Sequence, residues 1–238
     1  MSLLTIVQDV CGEMGLTIPN AVVGSNSELV IQLFRLAKRE GNELSTGASV
    51  GLSHDWTVLQ SEATWTSTAT ESQGALTTLA PGFRWIINDT VFDRTEQRQE
   101  PGPVSAQLWQ WRKAMTTSGP FPEWRIRNGT LYMYPVPTAG HSMAFEYQTS
   151  YWCTDSGGTA KATWTADTDV GRIDEELMKL GLIWRWRKAK GLDYEEDFRS
   201  YQIAVSNAIA RDGGKPRLSM STHRVSQRVL VQDGNWDL

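Results

Sequence analysis

The run GLIWRWRKAKGLDYEEDF, residues 181–198, sets Trp184 and Trp186 among Arg185, Arg187, Lys188 and Lys190 and then turns acidic. Aromatics interleaved with cations are the chemistry of single-stranded nucleic-acid binding, in which bases stack on rings and guanidinium groups meet phosphates. That chemistry needs both rings on one face, as a strand would place them. On a helix, residues two apart diverge by about 200°, and the same letters describe a packed helix with a basic end. Asp167, Asp169 and Asp174 could hold a hard cation with loop carbonyls, or simply solvate a loop and cap a helix. His54, His141 and His223 show no metal-pair spacing, and Gly157-Gly158 lacks the Lys-Ser/Thr of a phosphate loop. Trp65, Trp85, Trp124 and Trp152 could stack on sugars beside a carboxylate pair, but 27 acids without a motif single out no pair. Aromatics on alternating strands more often build a core or a subunit interface. No Walker loop, GxGxxG, HExxH or GxSxG occurs, so the chain gives no positive sign of catalysis and implies no cofactor or metal.

The elements that would carry these residues follow from periodicity. Leu3, Ile6, Val7, Val10, Cys11 and Met14 form one helical stripe, with Ser2 as N-cap and Gly15 as stop. Ser27 begins a second helix, with Val30, Leu33, Phe34, Ala37 and Leu44 inward and Arg35, Lys38, Arg39 and Glu40 facing water. From about Trp56 the chain turns strand-like, rich in Thr, Val, Ile and aromatics between Gly and Pro. A short helix is predicted over Val104 to Met115. EWRIRNGTLYMYPVP reads as a hairpin closed by Asn128-Gly129, and HSMAFEYQTSYW as its neighbouring strand. DSGGTAKATWTADTD, from Asp155, reads as a long exposed loop.

Asp174 to Lys190 is helical again. Leu177, Leu180, Ile183 and Trp184 make its main stripe, and Met178, Leu182 and Trp186 widen it, so the helix is central or sandwiched in an interface. Arg187, Lys188 and Lys190 complement its dipole, and Gly191 ends it. Asp193 and Glu196 resemble a capping box for a further helix, whose face is Phe198, Tyr201, Val205, Ala208 and Ile209. Two abutting helices are therefore the favoured reading of the opening strip. After Gly213, HRVSQRVLVQDG could form one strand, which would need a partner elsewhere.

The totals agree with a globular α+β chain of helical ends and a strand-rich middle. In 238 residues, 40% are hydrophobic and 21% charged, and the net charge of −4 argues against a wholly basic nucleic-acid binder. Cys11 and Cys153 offer neither a zinc spacing nor a disulfide framework, which fits a reduced, intracellular origin. The N-terminus has no basic leader and no run approaches a membrane span, so glycosylation at Asn88 and Asn128 is not expected. Eleven tryptophans call for a thick core, an interface or a sugar-stacking surface.

Several stretches taken together resemble the head-to-tail adaptor (connector) proteins of tailed bacteriophages, in particular the tail-accessory adaptors of short-tailed phages. They are LLTIVQDVCGEMGL, AVVGSN, LFRLAKREGNEL, LAPGFRWIINDTVFDRTEQR, PGPVSAQLWQWR, WRIRNGTLYMYPVPTAGHSMAFEYQTSYW and GLIWRWRKAKGLDYEEDFRSYQIAVSNAIARDGG. The resemblance spans most of residues 1–214. Thr46–Ser53, Asp155–Asp169 and the tail beyond Pro216 have no matching pattern.

The resemblance implies a helical domain formed by both ends of the chain, 1–45 and 172–213, with a β-rich antiparallel insertion, 46–171, and an extended C-terminal tail, 214–238. It implies a structural virion protein rather than an enzyme. Such a protein forms a dodecameric homo-oligomer ring beneath the portal, following the portal's symmetry, that seals the filled capsid, receives a tail or nozzle protein and lets genomic DNA pass without sequence-specific binding. It would be made in the bacterial host cytoplasm and end at the head–tail junction of the virion, with no membrane contact. Candidate subunit or portal contacts are Arg35, Arg39, Trp184, Trp186, Arg187, Asp193 and Glu196. In the tail they are Arg224, Val225, Arg228, Val229 and Val231, expected to reach a neighbouring protomer or the portal. The competing classes are a carbohydrate-binding or cell-wall-degrading tail component and a single-stranded nucleic-acid binder using the Trp184–Arg187 strip.

Overall fold

The computed structural model describes residues 2–46, 54–115, 119 and 121–213. The tail positions Arg224, Val225, Arg228, Val229 and Val231, and His223, lie outside the described residues. The fold is α+β, and every paired strand among the described residues is antiparallel.

Four helices make one layer. α1 (Leu3–Glu13) starts where expected, because the Ser2 hydroxyl accepts the Thr5 N–H at 3.3 Å, and it buries Leu3, Ile6, Val7, Val10 and Cys11. α2 (Glu28–Leu44) buries Val30, Leu33, Ala37 and Leu44 as its periodicity predicts. Glu40 departs from expectation. Assigned to the solvated face, it is 1% exposed, and Gly41 beside it is also buried. α5 (Glu175–Lys190) is capped by Asp174, whose carboxylate accepts the Glu176 N–H at 3.0 Å, and ends at Gly191 with φ 69°. It touches α1, α2 and α6 (Glu195–Arg211), the central place its nearly all-round apolar surface requires. α6 has no Asp193–Glu196 capping box. Tyr194 occupies the cap, and Asp193 instead accepts the Glu195 N–H at 3.4 Å.

The core among these helices also takes Trp56, Leu59, Trp152, Cys153 and Trp164, from the chain between them. The segment Asp155–Asp169, expected as an exposed loop, is exposed at residues 156–159 but turns Trp164 and Asp169 into the interior. Short strands β9 (Cys153–Thr154), β10 (Ala160–Lys161) and β11 (Val170–Gly171) form a small sheet, and Trp164 meets Trp152 edge-on at 4.9 Å. Its acids replace water with buried amides. Asp169 accepts from Thr165 N (2.6 Å), Ala166 N (2.9 Å) and Lys161 Nζ (2.8 Å), and Asp167 accepts from Val23 N at 2.7 Å. Burial alone would raise the Asp169 pKa, but Lys161 and the two amides outweigh it and hold the carboxyl below its usual range. Leu3 N–H donates to the Asp169 carbonyl, so the segment also holds the start of α1.

Two sheets share a second core. β1 (Gln60–Thr66), β8 (Ser142–Thr149), β4 (Phe92–Asp93) and β5 (Arg98–Gln99) line up in that order, with β3 (Phe83–Ile86) also on β8. β2 (Ser72–Ala75), β7 (Thr130–Tyr134) and β6 (Glu123–Arg127) form the other, next to the four-residue α3 (Leu76–Leu79). The β6–β7 hairpin turns at Asn128 and Gly129 with φ 49° and 67°, the paired positive angles of a type I′ turn. Alternation sends Ala63, Trp65, Phe145 and Tyr147 of one sheet, and Trp124, Leu131 and Met133 of the other, into the common interior. α4 (Ala106–Ala114) lies against the second sheet through Trp109, whose ring is 6.1 Å from that of Tyr134.

A polar clasp joins the two cores: Arg84 of β3 donates to the Ser45 carbonyl and hydroxyl at 3.2 and 3.1 Å. Asp212 at the end of α6 accepts from Thr57 N (2.9 Å) and bonds His54 Nε2 (2.8 Å), holding the segment that carries Trp56 and Leu59 to the helical layer. α2 and Trp152 approach closely at Gly41. A Cβ on Gly41 would sit 2.3 Å from the indole ring. Gly41→Ala should therefore lower stability by about 1–3 kcal/mol through overpacking, despite the better helix propensity of alanine. Thermal unfolding checks this, and a variant as stable as the parent would show that the contact is easily relaxed.

Candidate assembly surfaces

The Trp-Arg strip is divided between inside and outside by the helix it forms. Trp184 is buried, with Phe198, Tyr194 and Tyr201 at ring distances of 4.8, 6.5 and 6.0 Å. Trp186 is half-buried on another side. A base-stacking pair is excluded by this geometry, since the two rings do not share a face.

Arg185, between them, is 5% exposed and reaches across to α2. Its Nε pairs with Glu40 Oε2 and its Nη2 with Glu43 Oε2 at 2.7 Å. The Tyr201 hydroxyl donates to Glu40 Oε1 at 2.5 Å, and Arg39 Nε meets Glu43 Oε1 at 2.6 Å. One buried guanidinium thus links α5, α2 and, through Tyr201, α6. Burial pushes the Glu40 carboxyl up while Arg185 pulls it back; for Arg185 burial is opposed and outweighed by Glu40 and Glu43, which hold its pKa above the usual value. The approach depends on Gly181, where a Cβ would stand 2.2 Å from the Glu40 carboxyl carbon. Glu40 and Arg185 were missed in the sequence because a charged residue beside an apolar stripe looks solvated until its partner, 145 residues away, is known.

The remaining helical candidates lie at the surface. Arg35 and Glu196 are exposed; Arg39 keeps 66% of its side-chain exposure beside Glu43. Arg187 pairs with Asp197 at 2.7 Å, and Asp193 is exposed. Lys188 and Lys190 are also exposed. These residues are spread over α2, α5 and α6 and do not converge on a pocket.

The tryptophans considered for sugar stacking are structural. Trp65, Trp124 and Trp152 are buried, and Trp85 donates its Nε1–H to Asp55 at 2.9 Å. Both cysteines are buried as free thiols, and burial raises Cys153 to about 12. Among the described residues no His/Cys/Asp/Glu group has metal-binding geometry, and no helix is long and apolar enough to cross a membrane.

Two surfaces on the β-rich part escaped the sequence. α4 turns Leu108 and Trp111 to solvent, at 37% and 50% exposure, and Met115 just past its end is 44% exposed, while Trp109 faces the sheet. The WxW spacing of Trp109 and Trp111 was the available signal, since only one of two such residues can face a flat sheet. The other surface is a groove of about 480 Å3 over β1, β4 and β8, bordered by Glu62, Asp89 and Glu146.

These surfaces surround two cores. A family model described as SU10 adaptor protein matches residues 1–228. The chain belongs to this adaptor family. It is a phage adaptor protein, a structural component associated with other head and tail proteins. A search of curated proteins found no match.

Within the adaptor, the Arg185 clasp is the feature whose loss has the clearest consequence. Arg185→Ala leaves Glu40 buried without its counter-ion and should cost about 3–5 kcal/mol. Urea unfolding of the purified adaptor measures this. A loss below about 1 kcal/mol would mean that Glu40 is neutral or hydrated without Arg185.

Proposed function

We propose that the adaptor forms a dodecameric ring beneath the portal, seals the DNA-filled capsid, and supplies both the platform to which the tail or nozzle protein attaches and the conduit for DNA. The observation that carries this reading is the match of the adaptor family over residues 1–228. The exposed Leu108, Trp111 and Met115 support it, because large apolar side chains left outside both cores suit protein contacts. In this reading segments 1–45 and 172–213 act as one helical unit, 46–171 as an insertion and 214–238 as a reaching arm. Arg35, Arg39, Trp186, Arg187, Asp193 and Glu196 serve as contacts of the helical unit with a neighbour or the portal. Trp184 contributes from beneath, by packing Phe198 and Tyr201.

DNA passes without sequence-specific contact, and the net charge of −4 disfavours tight phosphate binding along the path. The adaptor would act at the head–tail junction of the virion after synthesis in the host cytoplasm.

Electron microscopy of the adaptor mixed with portal, beside the adaptor alone, tests this. The expected image is a twelvefold ring stacked on the portal. Removing residues 215–238 should weaken attachment while leaving the thermal melt of the protein unchanged. Well-folded adaptor that makes no ring and does not associate with portal would remove the proposal.

A further inference from the structure

The two sheets of the insertion pack through one interior, so their outer faces point in opposite directions, and those faces carry opposite charge. On the first, Phe92 and Ala144 floor the groove of about 480 Å3, and Glu62, Asp89, Arg94 and Glu146 border it. Glu62 and Glu146 are direct cross-strand partners, a placement of like charges that is unfavourable unless compensated. Arg94 pairs with Glu62, and among the described residues no cation pairs with Glu146.

The second face is basic and aromatic. Arg125, Arg127 and Tyr132 lie on the side of β6 and β7 turned away from the buried Trp124, Leu131 and Met133, and the Arg127 guanidinium stands 4.6 Å over the Tyr132 ring. The nearby acids are already committed: Glu123 to Arg112 at 2.8 Å and Glu71 to Lys113 at 2.6 Å. Among the described residues neither Arg125 nor Arg127 has a carboxylate partner.

We propose that these faces are the two halves of one subunit interface, the basic face of each copy seating on the acidic groove of the next. The proposal rests on the ring reading above and assigns its contact surfaces. A closed ring of identical subunits needs two different and complementary surfaces on each protomer, and surfaces on opposite sides of one rigid sandwich meet that demand. An arginine of the incoming face lays its aliphatic stem on Phe92 and Ala144 and brings its head to Glu146, relieving the Glu62–Glu146 repulsion. The exposed α4 stripe beside the basic face adds apolar area at the margin of the same contact.

Charge reversal tests the pairing. Arg125→Glu with Arg127→Glu, and separately Glu146→Arg, should each weaken ring formation on the order of 100-fold, read by sedimentation and by negative-stain counts of rings on portal. Combining all three in one chain should restore rings, since each copy again meets an opposite charge. Thermal melts of each variant verify folding, and Arg125, Arg127 and Glu146 occupy exposed or half-exposed positions. Rings unaffected by either reversal, or a triple variant no better than its parents, overturn the pairing while leaving the ring itself intact. Sensitivity to the arginines alone assigns the basic face to another acidic partner, such as DNA, and also overturns it. A wild-type adaptor that forms no ring even on portal removes both this inference and the reading beneath it.

Discussion

The approach of α2 to α5 is the contact on which the helical half of the adaptor depends. Gly181 makes it close by admitting the Glu40 carboxyl, and Gly41 beside Glu40 leaves room for Trp152. At that distance Glu40 cannot keep its hydration, and Arg185 with the Tyr201 hydroxyl must replace water. The desolvation of both ions offsets much of their attraction, so the clasp adds little net stability compared with apolar packing. Its geometry is demanding, however, because each partner is satisfied only in one arrangement of three helices. The clasp therefore fixes how α2, α5 and α6 sit, and the surfaces of those helices follow.

The small β9–β10–β11 sheet carries this order outward. Trp164 and Trp152 fill the helical core from the strand-rich segment, while Asp169 and Asp167 bind amides of their own turn and of residues 22 and 23. Arg84 then ties β3 to the end of α2, while Arg172, through the carbonyls of Tyr151 and Val58, and Asp212, through Thr57, hold the connecting segments to the helical layer. For an adaptor such packing matters, since a contact surface already ordered loses less entropy on assembly than one that must first be ordered.

Where local geometry decides an outcome, the amino-acid order alone determined it. The Ser2 cap, the Asn128-Gly129 hairpin, the Gly191 stop and the central place of α5 depend on periodicity and on residues within a few positions of one another. The α+β class and the adaptor resemblance were legible for the same reason, as both are carried by continuous stretches. Tertiary structure alone decided the fate of Glu40, Arg185, Trp164 and Asp169. Each looks solvated or loop-like beside its chain neighbours, and each is buried because of residues distant in sequence: Arg185 by α2, Trp164 by Trp152, Asp169 by Lys161 and the start of α1. The opposed charges of the two sheet faces are of this kind too. They arise from pleat and register: the hairpin places Arg127 over Tyr132 locally, but only the closed sheet sets Glu62 opposite Glu146, 84 positions away in sequence. Burial is a property of what surrounds a residue, and that is set only when the chain closes on itself.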